Sequence, residues 1–193
     1  MLTAHDNKGN IATIYNRFDG QSHSIQITRL TAQGYTLWNS VHSDNYYEKA
    51  YSSAMDSAGS LFLAGVRDSQ KEKRFLLMKY DENGALVWEN IDNAVSCTAT
   101  TMALDREGNA VVAGVCRYWN SYPARIVKFN NDGAQLWSQD YDGGGRNYVR
   151  GLQVDYQGNI SVTVETVYGN YRDGSYVTRT PVYDPAGAQL EVR

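Results

Sequence analysis

The 193-residue chain is 42% hydrophobic and 20% charged with a net charge of −3, a composition that folds and is far from the disordered regime. Its Lys and Arg residues are scattered, so no basic patch for neutralising phosphates is visible and a nucleic-acid partner is not expected. No apolar run is long enough to insert into a bilayer, and the opening MLTAHDNKGN lacks the charged and apolar regions of a signal peptide.

In chain order, residues 1–5 read as a short strand that enters the turn Asp6-Asn-Lys-Gly9. Residues 11–15 alternate apolar and polar, as a half-buried strand does. A longer loop at 17–24 leads to a third strand at 25–30, the turn Thr31-Ala-Gln-Gly34 and a fourth strand opened by Leu37-Trp38. The same order then returns. Gly9, Gly59, Gly108 and Gly158, each preceded at three residues by Asp, follow one another at steps of 50, 49 and 50. A second series at Gly34, Gly84, Gly133 and Gly187 leads into Trp38, Trp88, Trp137 and, in the last repeat, Glu191. Asp or Asn three residues before Gly suits a tight turn closed in the left-handed region, where Gly has no Cβ to clash. No segment keeps a helical period over ten residues.

Four antiparallel strands per repeat, here named A to D, make one blade of a β-propeller. The expected fold is therefore all-β: a β-propeller built from four tandem four-stranded blades at 1–43, 44–93, 94–145 and 146–193. They form a single propeller domain, or half or a fragment of a larger propeller. The last repeat carries a longer B–C loop, because its two glycine series stand 29 rather than 25 residues apart. The phased tryptophans are expected to pack neighbouring blades.

Lys79-Tyr80-Asp81 through Trp88, Lys128-Phe129 through Trp137, and Asp142-Gly-Gly-Gly-Arg-Asn-Tyr148 through Asp155-Tyr-Gln-Gly158-Asn159 carry a family pattern. That pattern resembles the bacterial seven-bladed propeller repeat, the SBBP repeat. The resemblance covers nearly the whole chain and implies the fold and a secreted or otherwise extracytoplasmic location. It brings no common active site. Four repeats in place of about seven leave three arrangements open: a small closed ring, a homodimer completing an eight-bladed ring, or a piece of a longer protein.

Features in phase with the repeat belong to the scaffold, so functional residues are sought out of phase. The A–B and C–D turns are short and uniform. The loops of the opposite face, B–C and D–A, are long and irregular, at 17–24, 40–49, 67–74, 90–96, 117–123, 139–148 and 168–175. Loops on a rigid frame are where binding residues concentrate. Tyr118, Trp119, Tyr122, Tyr148 and Tyr171 fall there, with Arg67, Arg117 and Arg146, and Trp119 is the one tryptophan out of phase. Aromatic faces beside Arg suit a sugar ring or a protein hot spot, although such tyrosines also fill gaps and tether loops through their hydroxyls. These eight are the candidate ligand-binding residues.

No nucleophile motif, metalloprotease motif or P-loop is present, and no catalytic residue, metal or cofactor is assigned. His5, His23 and His42 do not make a zinc set by themselves, and Asp140-Tyr-Asp142 lacks the further oxygens of a calcium loop. Cys97 and Cys116 read as small buried hydrophobes, with their pairing left open. The expected function is a non-catalytic binding or interaction module that takes a protein or glycan ligand on the aromatic loop face. The alternatives are a lectin-like propeller and a glycosidase- or lyase-type enzyme with a central-channel site.

Overall fold

The turn motif explains the strand layout. Asp6 Oδ1 accepts the amides of Lys8 and Asn10, its Oδ2 accepts the Asn10 side-chain amide, and Gly9 turns at φ 80°. Asp105 with Asn109 and Asp155 with Asn159 repeat the arrangement, each closing an antiparallel hairpin. Burial alone would raise the Asp6 carboxyl, but Asn10, Lys8 and Arg29 hydrogen-bond its charged form and bring it down to about 2.

The computed structural model describes residues 1–44, 46–69, 71–169 and 174–193. Among them there is no helix. The chain divides into two compact units, Met1–Val95 and Ser96–Arg193. Unit 1 holds the sheet β1(Leu2–His5), β2(Ile11–Phe18), β3(His23–Leu30), β4(Thr36–His42) and the sheet β5(Tyr47–Met55), β6(Leu61–Asp68), β7(Lys73–Tyr80), β8(Leu86–Ile91). Unit 2 holds β9(Cys97–Leu104), β10(Ala110–Cys116), β11(Ala124–Phe129), β12(Gln135–Tyr141), and then β13(Arg146–Val154), β14(Ile160–Tyr168), β15(Ser175–Arg179), β16(Pro181–Tyr183) and β17(Gln189–Val192). Every sheet is an antiparallel meander. The last C strand is broken into β15 and β16, which pair β14 in one register. Pro181 stands at the break and has no amide to give the ladder.

Each unit buries one core between its two sheets. Ile14, Ile25 and Ile27 meet Leu61, Leu63 and Met78 in unit 1, and Val111 and Ile126 meet Ile160, Val162 and Val164 in unit 2. Two phased tryptophans tie sheet to sheet. Trp38 Nε1 donates to Glu82 O at 2.9 Å, and its ring lies where a Cβ on Gly84 would come within 2.6 Å. Trp137 does the same in unit 2, to Pro185 O at 3.0 Å and against Gly187 at 2.7 Å. Beneath them runs a buried ion pair, Arg29 with Asp6 at 2.7 Å and Lys128 with Asp105 at 3.0 Å.

The cysteines correct the sequence reading. Cys97 on β9 and Cys116 on β10 are directly opposite and form a disulfide, both fully buried. They are small and buried as expected, but they are cross-linked.

Candidate functional site: a loop pocket in unit 2

The loop after β10 is shaped by its main chain. Cys116 N donates to Pro123 O, Arg117 N to Ser96 O, and Tyr118 N to Ser121 O at 2.9 Å. This tight closure puts Trp119 at the tip, 96% exposed, with Tyr118 exposed beside it. Tyr122 turns back into the protein and is half-buried. Its backbone bridges to Arg146, and its carbonyl accepts the Asn147 side-chain amide at 2.8 Å.

The facing wall is the glycine run before β13. Gly144 N donates to Asp142 Oδ1 at 2.9 Å, and Tyr168 hydroxyl donates to Gly143 O at 2.6 Å. A Cβ at Gly143 would meet Thr166 Oγ1 at 2.3 Å, and one at Gly145 would meet Val167 O at 2.6 Å. The glycines therefore let this loop pass close against β14. Between the two walls opens a pocket of about 370 Å³, of the size that holds small ligands, lined by Asn120, Ser121, Tyr122, Asp142, Arg146 and Tyr168 among others.

Arg117 and Arg146 both lie over the ring of Tyr122, at 5.6 and 5.5 Å from its centre. Of the eight residues singled out from the sequence, this brings Arg117, Tyr122 and Arg146 into contact, and Tyr118 and Trp119 share their loop. Tyr148 does not line the pocket. It shares a face of β13 with Arg146 but stands two residues further along, opposite Glu165, and Arg150 lies 5.3 Å over its ring. Tyr171 lies outside the described residues. Arg67 belongs to unit 1 and is not among the residues that line this pocket.

Arg67 sits in a charged cluster at the end of β6. It binds Glu48 through Nε, and Glu89 at 2.5 Å and Asp44 at 3.1 Å through Nη2. His42 Nε2 lies 2.7 Å from the other oxygen of Glu48 and 3.4 Å from Glu89. The Glu48 hydrogen bond raises the His42 pKa above its usual value, against the opposing effect of burial. His42, Glu48 and Glu89 place three donor atoms within 4.8 Å of one another, the kind of set a divalent ion uses. Arg67 already bridges the two carboxylates, however, and Glu48 has one oxygen on Arg67 and one on His42. A carboxylate so engaged has no oxygen to spare for general-base work.

Sequence reading missed what relates these places. Glu48, Cys97 and Asn147 each stand eight residues before the A–B turn aspartate, and Arg67, Cys116 and Thr166 eight after its glycine. They pair across strands as Glu48–Arg67, Cys97–Cys116 and Asn147–Thr166. One repeat position thus carries an ion pair, a disulfide and a buried side-chain hydrogen bond of 2.7 Å. The equal offsets were the available signal.

No family model matches the chain, and no curated protein matches it. Solved structures do. Prolyl oligopeptidase B from Galerina marginata, bound to a 35mer hydrolysis and macrocyclization substrate, is 10% identical with a TM-score of 0.50 over 99% of this chain and 27% of that one. A β-fructofuranosidase from Bombyx mori in complex with sucrose is 10% identical with a TM-score of 0.50 over 97% of this chain and 46% of that one. The chain thus spans less than half the length of either. At this identity the likeness is one of fold alone: tandem, four-stranded antiparallel sheets.

Proposed function

We propose that the chain is a non-catalytic binding module of β-propeller type, taking its ligand in the unit 2 pocket on the B–C and D–A loops. One observation carries the reading: Tyr122 and Arg146 line a polar pocket closed by a hydrogen-bonded loop, and Arg117 joins Arg146 over the Tyr122 ring. The propeller reading is supported by tandem sheets from successive repeats and by likeness to a propeller-type glycosidase. Kinship with the SBBP repeat and an extracytoplasmic home belong to the same proposal, and a buried disulfide suits an oxidising compartment. Closure with a second copy into an eight-bladed ring is part of it too.

The test is retention on a combined glycan and protein array. Wild-type protein is expected to hold at least one ligand that the doubly substituted Asn120→Ala, Arg146→Glu protein loses. Equal retention by both proteins, or none by either, overturns the reading. Light scattering reports the assembly: twice the chain mass of 21.6 kDa fits ring completion by two copies, and a single mass rejects it.

A further inference from the structure

We infer that the unit 2 pocket takes a saccharide bearing an anionic group, a carboxylate or a sulfate ester; this rests on the binding-module reading. Arg117 and Arg146 are exposed, and among the described residues neither guanidinium is within ion-pair distance of a carboxylate. They contrast with Arg67, whose nitrogens are taken by Glu48, Glu89 and Asp44. A guanidinium fork that is not spent on a carboxylate matches the oxygen pair of a carboxylate or sulfate; Arg146 carries such a fork into the pocket lining, and Arg117 shares the Tyr122 ring with it.

The rest of the lining favours a sugar over a peptide. Asn120 offers an amide, Ser121 a hydroxyl and Asp142 a carboxylate, a mixed donor and acceptor set for ring hydroxyls. Peptides are commonly gripped by a free strand edge or apolar pockets, and here the one well-buried apolar wall is Val167. Asp142 has one oxygen turned to the Gly144 amide, which leaves the other to accept from a sugar hydroxyl. Trp119, next to Asn120 and 96% exposed, gives a flat apolar face for the ring carbons.

The experiment is calorimetric titration of the whole chain with oligogalacturonate, its methyl ester, a sulfated dextran and poly-glutamate. Binding of oligogalacturonate that weakens at least tenfold on methyl esterification, and again in Arg117→Ala or Arg146→Ala, is the expected result; it identifies a carboxylate sugar. The same arginine dependence with sulfated dextran alone identifies a sulfate ester. Both substitutions are at exposed side chains, and an unchanged thermal transition checks that each variant is folded. Equal binding of the ester, or binding of poly-glutamate as strong as that of the sugar acid, overturns the inference. If only a neutral glycan binds and Asn120→Ala with Arg146→Glu abolishes it, the inference fails while the binding-module reading stands. Loss of both shows as no binding by wild type to any probe or array ligand.

Discussion

The two units repeat one plan and spend it differently. Trp38 on Gly84 and Trp137 on Gly187, Arg29 with Asp6 and Lys128 with Asp105, occupy matching places in units 1 and 2. At the loop end the match stops. In unit 1, His42, Glu48, Arg67 and Glu89 neutralise one another, so the charge is consumed in holding strands together. In unit 2 the corresponding clasp is the neutral Asn147–Thr166 bond, and Arg146 beside it is left facing a pocket. The comparison teaches that an ion pair buried at a strand end is scaffold, whereas a cation stacked on an aromatic ring without a counter-ion is available to a ligand.

The sharpest way to break the comparison is Arg67→Ala. It leaves Glu48, 3% exposed, with its charge balanced only by His42. Removing one partner of a buried pair costs about 3–5 kcal/mol, and the shift is read from the urea midpoint of unfolding. Converting unit 1 to the unit 2 clasp, Glu48→Asn with Arg67→Thr, is expected to return more than half of that loss. A double variant no more stable than Arg67→Ala would show that the two clasps are not interchangeable.

The third clasp ranks next. Replacing Cys97 and Cys116 together by Ser removes a cross-link over a sequence separation of 19. A loop of that length costs about 3 kcal/mol when opened. The same change frees the base of the loop that carries Trp119 and Tyr122, so hydrogen exchange at Arg117 and Tyr118 should quicken. Unchanged exchange there would mean that the main-chain bonds to Ser96, Ser121 and Pro123 suffice.

A smaller effect distinguishes the units by pH. The folded-state pKa of His42 is raised, chiefly by Glu48, above its ordinary value of 6.5. Its contribution is therefore complete below about pH 6.5 and is lost as pH rises through the folded value. The stability gap between wild type and His42→Gln should shrink as the pH is taken from about 6 to about 9. Tyr141 holds the corresponding place in unit 2, four residues after Trp137 as His42 is after Trp38. Protection from amide exchange, taken relative to the unfolded chain at each pH, should accordingly stay flat in β13 and β14 over that range while it falls in β5 and β6. A gap that widens with pH would reverse the assignment. The smallest expected effect is that of Trp119→Ala. A side chain this exposed is expected to move the unfolding midpoint by less than about 0.5 kcal/mol, and a larger shift would place the indole in the scaffold.

Much of this was legible in the chain itself. The Asp-x-x-Gly turns, strand alternation and phased tryptophans are local patterns, set by left-handed glycine geometry and by period-two burial, so they can be read without knowing what packs on what. The loop at 117–123 stood out as a candidate because its aromatics break the phase. Three things were not. The bond between Cys97 and Cys116 depends on the register of β9 against β10, which a composition argument cannot see. Tyr148 and Tyr122 look alike in sequence, yet the first sits two residues further along β13 than Arg146, opposite Glu165 and under Arg150, while the loop turns the second into the pocket. Arg67 and Arg146 are both loop-end arginines. Only the tertiary structure decides that one meets two glutamates and an aspartate across three strands, while the other meets a tyrosine ring and open space. The sequence determined where strands turn, because turning is a property of a few adjacent residues; partnership between distant side chains was decided by strand register and by how the loops fold at the sheet ends.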